Sequence, residues 1–253
     1  MTTFGLEGKL ALVTGAARGI GAATARKFAE HGANVILVDL RREELTETAE
    51  KLKDGFPNLN IEPEICDVSK KSEVDALAER LDKKFPHTID ILVNNAAILL
   101  VKQYLDVTDY EFENVLSVNL KSVHWVTQEF AKRAVAQKRP MSVINLSSIT
   151  TNAGMLELSP YVAAKDGING LTKVLARELG QYNIRVNAIK PGFVDTPMNT
   201  HLDEKYRAEV AKKTPLGRWA KPEEIANVIV FFASDLAGFC TCSFVDVNGG
   251  MSI

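Results

Sequence analysis

Cysteine, histidine and tryptophan are scarce in this chain of 253 residues, at three, four and two copies. Cys66, Cys240 and Cys242 form an odd and sparse set, so no disulfide framework is expected and a reducing compartment is the natural setting. Cys240 and Cys242 could offer two ligands to a metal, but no second pair lies near them, and His31, His87, His124 and His201 fall into no metal-binding spacing. No metal is expected. An excess of one charge is also missing: a net charge of −2 and a pI near 6.1, with bases and acids interleaved, leave no basic stripe for nucleic acid and no polybasic membrane anchor. No apolar run approaches a membrane span, residues 1–9 lack the apolar stretch of a signal peptide, and Met251-Ser252-Ile253 is not a peroxisomal address. Together these absences predict a cytoplasmic protein whose partner is a small molecule.

What is present can build a core. Hydrophobic residues make up 46% of the chain, enough at this length to bury one large interior, so a single domain over residues 1–253 is expected. Short apolar runs at 9–14, 35–39, 61–66, 89–93, 141–146, 184–189 and 243–247 read as strands. Amphipathic stretches at 20–30, 42–53, 72–85, 106–133, 161–180 and 221–234 read as helices between them. That alternation predicts an α/β fold, a doubly wound parallel sheet of about seven strands with helices on both faces.

The first strand runs into Thr14-Gly15-Ala16-Ala17-Arg18-Gly19-Ile20-Gly21. Glycines between a strand and a helix let main-chain N–H groups reach a pyrophosphate at the helix N-terminus, which makes Gly15, Arg18, Gly19, Ile20 and Gly21 candidate cofactor contacts. Asp39 closes the second strand of the same βαβ unit. Its carboxylate can accept from the adenosine ribose hydroxyls, and at about 4 Å and an effective dielectric near 20 it would repel a 2′-phosphate by roughly 4 kcal/mol before screening. NAD(H) is therefore expected. Arg18, Arg41 and Arg42 keep NADP(H) open as the lesser expectation.

Tyr161 and Lys165 stand four residues apart, and Pro160 suits the opening of a helix, so the phenol and the ammonium share one face. A phenol with a reference pKa of about 10 is a poor acid–base group at neutral pH, but a neighbouring cation favours the phenolate. A lowering of about three units would need roughly 4 kcal/mol of differential stabilisation, which a dry cleft holding further positive charge can supply.

Taken with the glycine turn, Asn94-Asn95-Ala96-Ala97, Asn119, Ser148 and Pro191-Gly192, this pair resembles the short-chain dehydrogenase/reductase family over nearly the whole chain. The resemblance implies a nicotinamide-dependent oxidoreductase that moves a hydride between the cofactor and a secondary alcohol or ketone. It implies Asn119, Ser148, Tyr161 and Lys165 as the catalytic set. Ser148 is chosen over Ser147 because the family's serine precedes the tyrosine by thirteen positions, and Asn119 would hold a water beside Lys165 through its carbonyl. Asp67 and Val68 would meet the adenine, although Asp67 also suits a helix-capping role. Asn95 and Ala96 would let the ribose approach, with Ala97 making a slightly tighter wall than the glycine common there. Pro191, Gly192, Val194 and Thr196 would face the nicotinamide, residues around 195–216 would form a substrate lid, and the helices bearing Asn119 and Lys165 would build a homotetramer or homodimer. The family's usual Thr-Gly before the last strand is Thr241-Cys242 in this chain, so the turn there is expected to differ.

For the substrate, Met155, Leu156, Leu158, Phe193, Met198 and Leu202 suit a 3-oxoacyl or 3-hydroxyacyl group or a steroid, and relatives acting on those are the nearest in look. Glu157 and His201 would instead suit a polyol or sugar. The remaining alternatives are a catalytically silent cofactor-sensing scaffold and an S-adenosylmethionine methyltransferase, which also uses a glycine turn and an acid after the second strand but would not need Tyr161 and Lys165.

Overall fold

Leu10–Thr14 shows why the sheet forms where it does: five consecutive small or apolar residues, all buried, can only be accommodated in a strand covered on both faces. The structure, a computed structural model, describes residues 4–200 and 202–251. His201 therefore lies outside the described residues. In chain order the sheet contains β1 (Leu10–Thr14), β2 (Asn34–Asp39), β3 (Ile61–Ile65), β4 (Ile91–Asn94), β5 (Met141–Leu146), β6 (Ile184–Pro191) and β7 (Phe244–Val247). All pairings are parallel, in the spatial order β3-β2-β1-β4-β5-β6-β7. The expected doubly wound sheet is thus the observed one.

Helices α1 (Gly19–Glu30), α2 (Arg42–Gly55) and α8 (Pro222–Ala233) cover one face, where Phe28, Leu45, Ile225 and Ile229 join a single buried cluster with alternate strand residues. Helices α3 (Lys71–Lys84), α5 (Ser122–Ala136) and α6 (Ser159–Leu179) cover the other through Leu77, Phe130 and Ala176. Successive strand residues point to opposite faces, so each central strand feeds both layers. Beneath the site, the second layer carries a polar ladder. Asn94 donates to Thr127 Oγ1 at 2.9 Å and to Asn145 Oδ1 at 2.8 Å, and Asn145 donates to Thr172 Oγ1 at 3.0 Å. Buried amides survive there because they satisfy one another.

One stretch differs from expectation and two gain detail. The single helix expected over 106–133 is α4 (Asp109–Leu116), a π-turn at Ser117–Lys121 and then α5. Thr108 caps α4 by accepting from the Glu111 main-chain N–H while Glu111 accepts from the Thr108 N–H, which stops the helix from reaching back to 106. The expected lid contains a 3₁₀ turn at Pro197–Asn199 and helix α7 (Glu204–Lys213), which Asp203 caps through the Tyr206 N–H at 2.7 Å. At the Thr241-Cys242 turn, Cys242 adopts a left-handed backbone at φ +58, a conformation that glycine tolerates better.

Candidate active site

The sheet changes winding direction between β1 and β4, since β1 has β2 on one side and β4 on the other. Connections that diverge at such a point leave a crevice at the carboxyl ends of the strands. Its floor is stitched at the β1 and β4 ends: Thr14 Oγ1 accepts from the main-chain N–H groups of Asn95 and Ala96 at 3.0 and 3.1 Å, and Asn95 Nδ2 donates to the Thr14 and Gly15 carbonyls at 2.9 and 3.1 Å. Both expected asparagines thus tie elements together, Asn94 inside the protein and Asn95 at its surface.

The glycine turn fits tightly against this floor. A Cβ on Gly15 would come within 2.8 Å of Ala96 Cα, and one on Gly21 within 2.1 Å of the Gly15 carbonyl oxygen. Gly15 and Gly19 also have positive φ, +66 and +59. Asp39 is 5% exposed and its carboxylate accepts from the Ala17 N–H at 3.1 Å and the Arg41 N–H at 3.0 Å, which locks the turn to the end of β2. Arg41 pairs with Asp39 at 3.3 Å and Arg18 with Glu44 at 3.6 Å. A groove of about 250 Å³ runs past Gly15, Arg18, Gly19, Ile20, Asp39, Asp67, Val68, Asn95, Ala96 and Thr196. Bare glycine main chain at the start of α1, a carboxylate at the far end and the apolar walls of Val68 and Ala96 fit a dinucleotide. Asp67 also turns inward on its own chain, accepting from Ser69 N and Oγ at 3.1 and 2.6 Å and pairing with Lys70 at 3.2 Å. Burial pushes its carboxyl up, but these partners outweigh that and hold it below the usual range.

A second cavity of about 340 Å³ adjoins the groove and shares Ile20, Asn95 and Thr196 with it. Ser148, Tyr161, Lys165, Pro191, Gly192 and Val194 line it, with the expected apolar set of Met155, Leu156, Leu158, Phe193, Met198 and Leu202. Tyr161 and Ser148 thus face the same space. Ser147, one residue earlier, instead donates to the Lys165 carbonyl at 3.2 Å and anchors α6.

The ionisation of the pair departs from expectation. The Lys165 ammonium is buried, donates to the Leu146 carbonyl at 2.6 Å and sits 5.6 Å from the centroid of the Tyr161 ring. Burial pushes Lys165 down to about 8. Burial also pushes the Tyr161 phenol up, and Ser148 is the neighbour that opposes it. Lys165 does not lower the phenol here, because an ammonium that gives up its proton near 8 is neutral before a phenol raised by burial ionises.

Two expected residues line neither cavity. Gly21 acts by letting α1 press against Gly15, and Asn119 is fully buried in the π-turn. The Asn119 amide donates to the Ile98 carbonyl and accepts from the Ile98 N–H, both at 2.9 Å, clamping the chain that leaves β4.

A family model described as Enoyl-(Acyl carrier protein) reductase matches residues 15–252. A 3-oxoacyl-[acyl-carrier-protein] reductase of Thermotoga maritima is 40% identical over 248 residues, covering 98% of this chain and 99% of that protein. A 3alpha-hydroxysteroid dehydrogenase of Mediterraneibacter gnavus is 37% identical, with coverage of 96% and 97%. The chain belongs to the short-chain dehydrogenase/reductase family. It is an oxidoreductase of alcohols or ketones, from a family that binds a nicotinamide cofactor. Among solved members, a putative NAD(P)-dependent gluconate 5-dehydrogenase from Beutenbergia cavernae with bound NADP superposes with a TM-score of 0.92 at 31% identity, covering 98% of both chains.

Sequence reasoning missed several walls of this short-chain dehydrogenase/reductase. Leu99 and Val101, from the chain after β4, and Tyr206, from α7, also line the larger cavity. Their positions depend on how loops fold back, and the one signal was that Tyr206 falls within the expected lid, 195–216. Among the described residues no group of three His, Cys, Asp or Glu side chains could hold a metal ion, and no helix is long and apolar enough to cross a membrane.

Proposed function

We propose that Tyr161 is the acid–base group of this dehydrogenase/reductase, with Ser148 holding the substrate oxygen, Lys165 gripping the cofactor ribose and Asn119 maintaining the loop beside it. The observation that carries this reading is the convergence of Ser148, Tyr161 and Lys165 on the wall of an apolar cavity that adjoins a dinucleotide-shaped groove. The nicotinamide cofactor, when bound, takes or gives the hydride. In the oxidative direction the Tyr161 phenolate accepts the hydroxyl proton while Ser148 donates to the developing carbonyl oxygen, and reduction retraces the same path. A cationic ring nearby and an ammonium released from the Leu146 carbonyl would lower the phenol that burial raises. Gly15, Arg18, Gly19, Ile20 and Gly21 form the pyrophosphate turn, Asp39 meets the ribose, Asp67 and Val68 flank the adenine, and Asn95, Ala96, Pro191, Gly192, Val194 and Thr196 border the nicotinamide half. The Tyr161→Phe variant should bind cofactor normally and lose turnover by at least a thousandfold; wild-type turnover would remove the acid–base assignment.

NAD(H) is the preferred cofactor on this reading. Support comes from the buried Asp39 carboxylate, and from Arg18 and Arg41 being already compensated by Glu44 and Asp39 rather than free for a phosphate. The NADP in the solved neighbour argues the other way, so side-by-side cofactor titration decides. The substrate we propose is a neutral apolar alcohol or ketone, a 3-oxoacyl or steroid-like group. Among the described residues, Glu157 and Lys165 are the charged ones lining the cavity, a poor fit to the carboxylate of a sugar acid. A polyol is the second reading, favoured by the rim contact of Gln103 with Glu157. A panel of acyl, steroid and sugar alcohols separates them by nicotinamide absorbance.

The lid function of 195–216 and self-association belong to the same proposal. Among the exposed apolar residues are Tyr110 on α4 and Val174 on α6, and Phe231, Leu236 and Phe239 around the end of α8. Exposed apolar side chains on these helices suit contacts between copies of the chain.

A further inference from the structure

We infer that Thr150 is a positioning residue that commits the Ser148 hydroxyl to act only as a donor, toward Tyr161 and the substrate oxygen. The inference rests on the reading of Ser148 and Tyr161 proposed above and adds the group that sets the direction of the serine hydroxyl. A serine hydroxyl has one proton to give and two lone pairs to fill. Ser148 Oγ accepts from the Thr150 main-chain N–H at 3.2 Å and from Thr150 Oγ1 at 3.0 Å. Both bonds arrive from the 3₁₀ turn at Ile149–Thr151, which Ser148 caps from an extended backbone. With both lone pairs engaged on that side, the proton is left for the cavity, which Tyr161 also lines.

The direction of the Thr150 bond follows from burial. Thr150 is 6% exposed, and Ser148 Oγ is the acceptor its hydroxyl has among the described residues. A buried hydroxyl that kept its proton unshared would carry the desolvation cost without compensation. The reverse orientation, Ser148 donating to Thr150, would leave the serine nothing to offer an alkoxide or carbonyl oxygen. Any residue at position 150 supplies the main-chain N–H. The hydroxyl is what threonine adds, and it polarises the Ser148 O–H in a chain of hydrogen bonds that ends at the reacting oxygen.

The test reads Tyr161 directly and needs no identified substrate. Phenolate ultraviolet absorbance is titrated in the holoenzyme with saturating NAD, and the same titration of Tyr161→Phe is subtracted. In Thr150→Val, which keeps the side-chain volume and the main-chain donor, the Tyr161 midpoint should rise by about half to one pH unit, and Thr150→Ser should restore it. Ser148→Ala should raise the midpoint as well, and adding Thr150→Val to it should change nothing more, because Thr150 acts through the serine. An unchanged midpoint in Thr150→Val, or an additive double variant, overturns the inference alone. If Ser148→Ala leaves the Tyr161 midpoint in place, the underlying pairing falls and the role of Thr150 falls with it.

Discussion

The groove we assign to the dinucleotide and the cavity we assign to the substrate are built by different means. The groove is a main-chain object: glycines in positive φ, strand ends stitched by Thr14 and Asn95, and an Asp39 carboxylate that accepts two backbone N–H groups. The cavity is a side-chain object, walled by Leu99, Val101, Met155, Phe193 and Tyr206 from segments up to about half the chain apart. Backbone geometry tolerates few substitutions, whereas an apolar wall can be repacked if its volume is kept. The first region therefore constrains which cofactor class binds, and the second leaves room for the substrate to vary within one fold.

The sharpest way to break this contrast is Gly21→Val. Its Cβ would fall 2.1 Å from the Gly15 carbonyl oxygen, so the turn must move, and a loss of about 3 kcal/mol or more in urea unfolding is expected together with loss of NAD binding. Leu156→Ala, on the exposed cavity rim, should leave stability within about 0.5 kcal/mol and alter only KM. Equal losses in both variants would erase the distinction.

Lys165 lines the cavity and not the groove, and its burial makes a pH-dependent cost. Below pH 8 the lysine is protonated in the folded and unfolded protein alike, and the full cost of burying the charge is present. Between its folded value of about 8 and the model-compound value of 10.5, the folded state releases the proton first, so stability rises with pH. Without cofactor, Lys165→Met should gain on wild type by about 3 kcal/mol at pH 7 relative to pH 10.5. Urea unfolding of both proteins across that window checks the sign; a stability difference that stays flat contradicts it.

A smaller effect concerns the far end of the groove. Asp39→Asn removes the charge while keeping an acceptor for the Ala17 N–H, and the ratio of NAD to NADP affinity should fall about tenfold. Unchanged discrimination would move cofactor choice elsewhere. Smallest of all, Cys242→Gly relieves a left-handed backbone at φ +58 and should raise stability by about 1 kcal/mol in thermal unfolding, with turnover unaltered. This turn belongs to neither cavity.

Much of the site was legible in the residues. The apolar runs marked all seven strands to within about two residues, and the Tyr161–Lys165 spacing on the helix opened by Pro160 brings both side chains to one cavity. The helix containing Asn119 was legible only in outline, because a π-turn answers to the Ile98 main chain and to packing rather than to a periodic pattern. The Lys165 ammonium was expected to act on the phenol, yet its partner is the Leu146 carbonyl, nineteen residues away in the chain. Thr150 was legible only as the start of a wall on the substrate side, over 150–158. Its importance lies in a hydroxyl direction that residue type does not specify.

From the amino acids alone came the alternation of strand and helix, the glycine turn, the acid closing the second strand and the spacing of the reactive pair. Each depends on neighbours a few residues apart, through backbone dihedrals and side-chain periodicity. Tertiary structure alone decided which loops wall the cavity, where the lysine points, and how far burial moves the phenol and the ammonium. Those are sums over groups from distant segments, and desolvation in particular exists only once the sheet and its helices have closed around the charge.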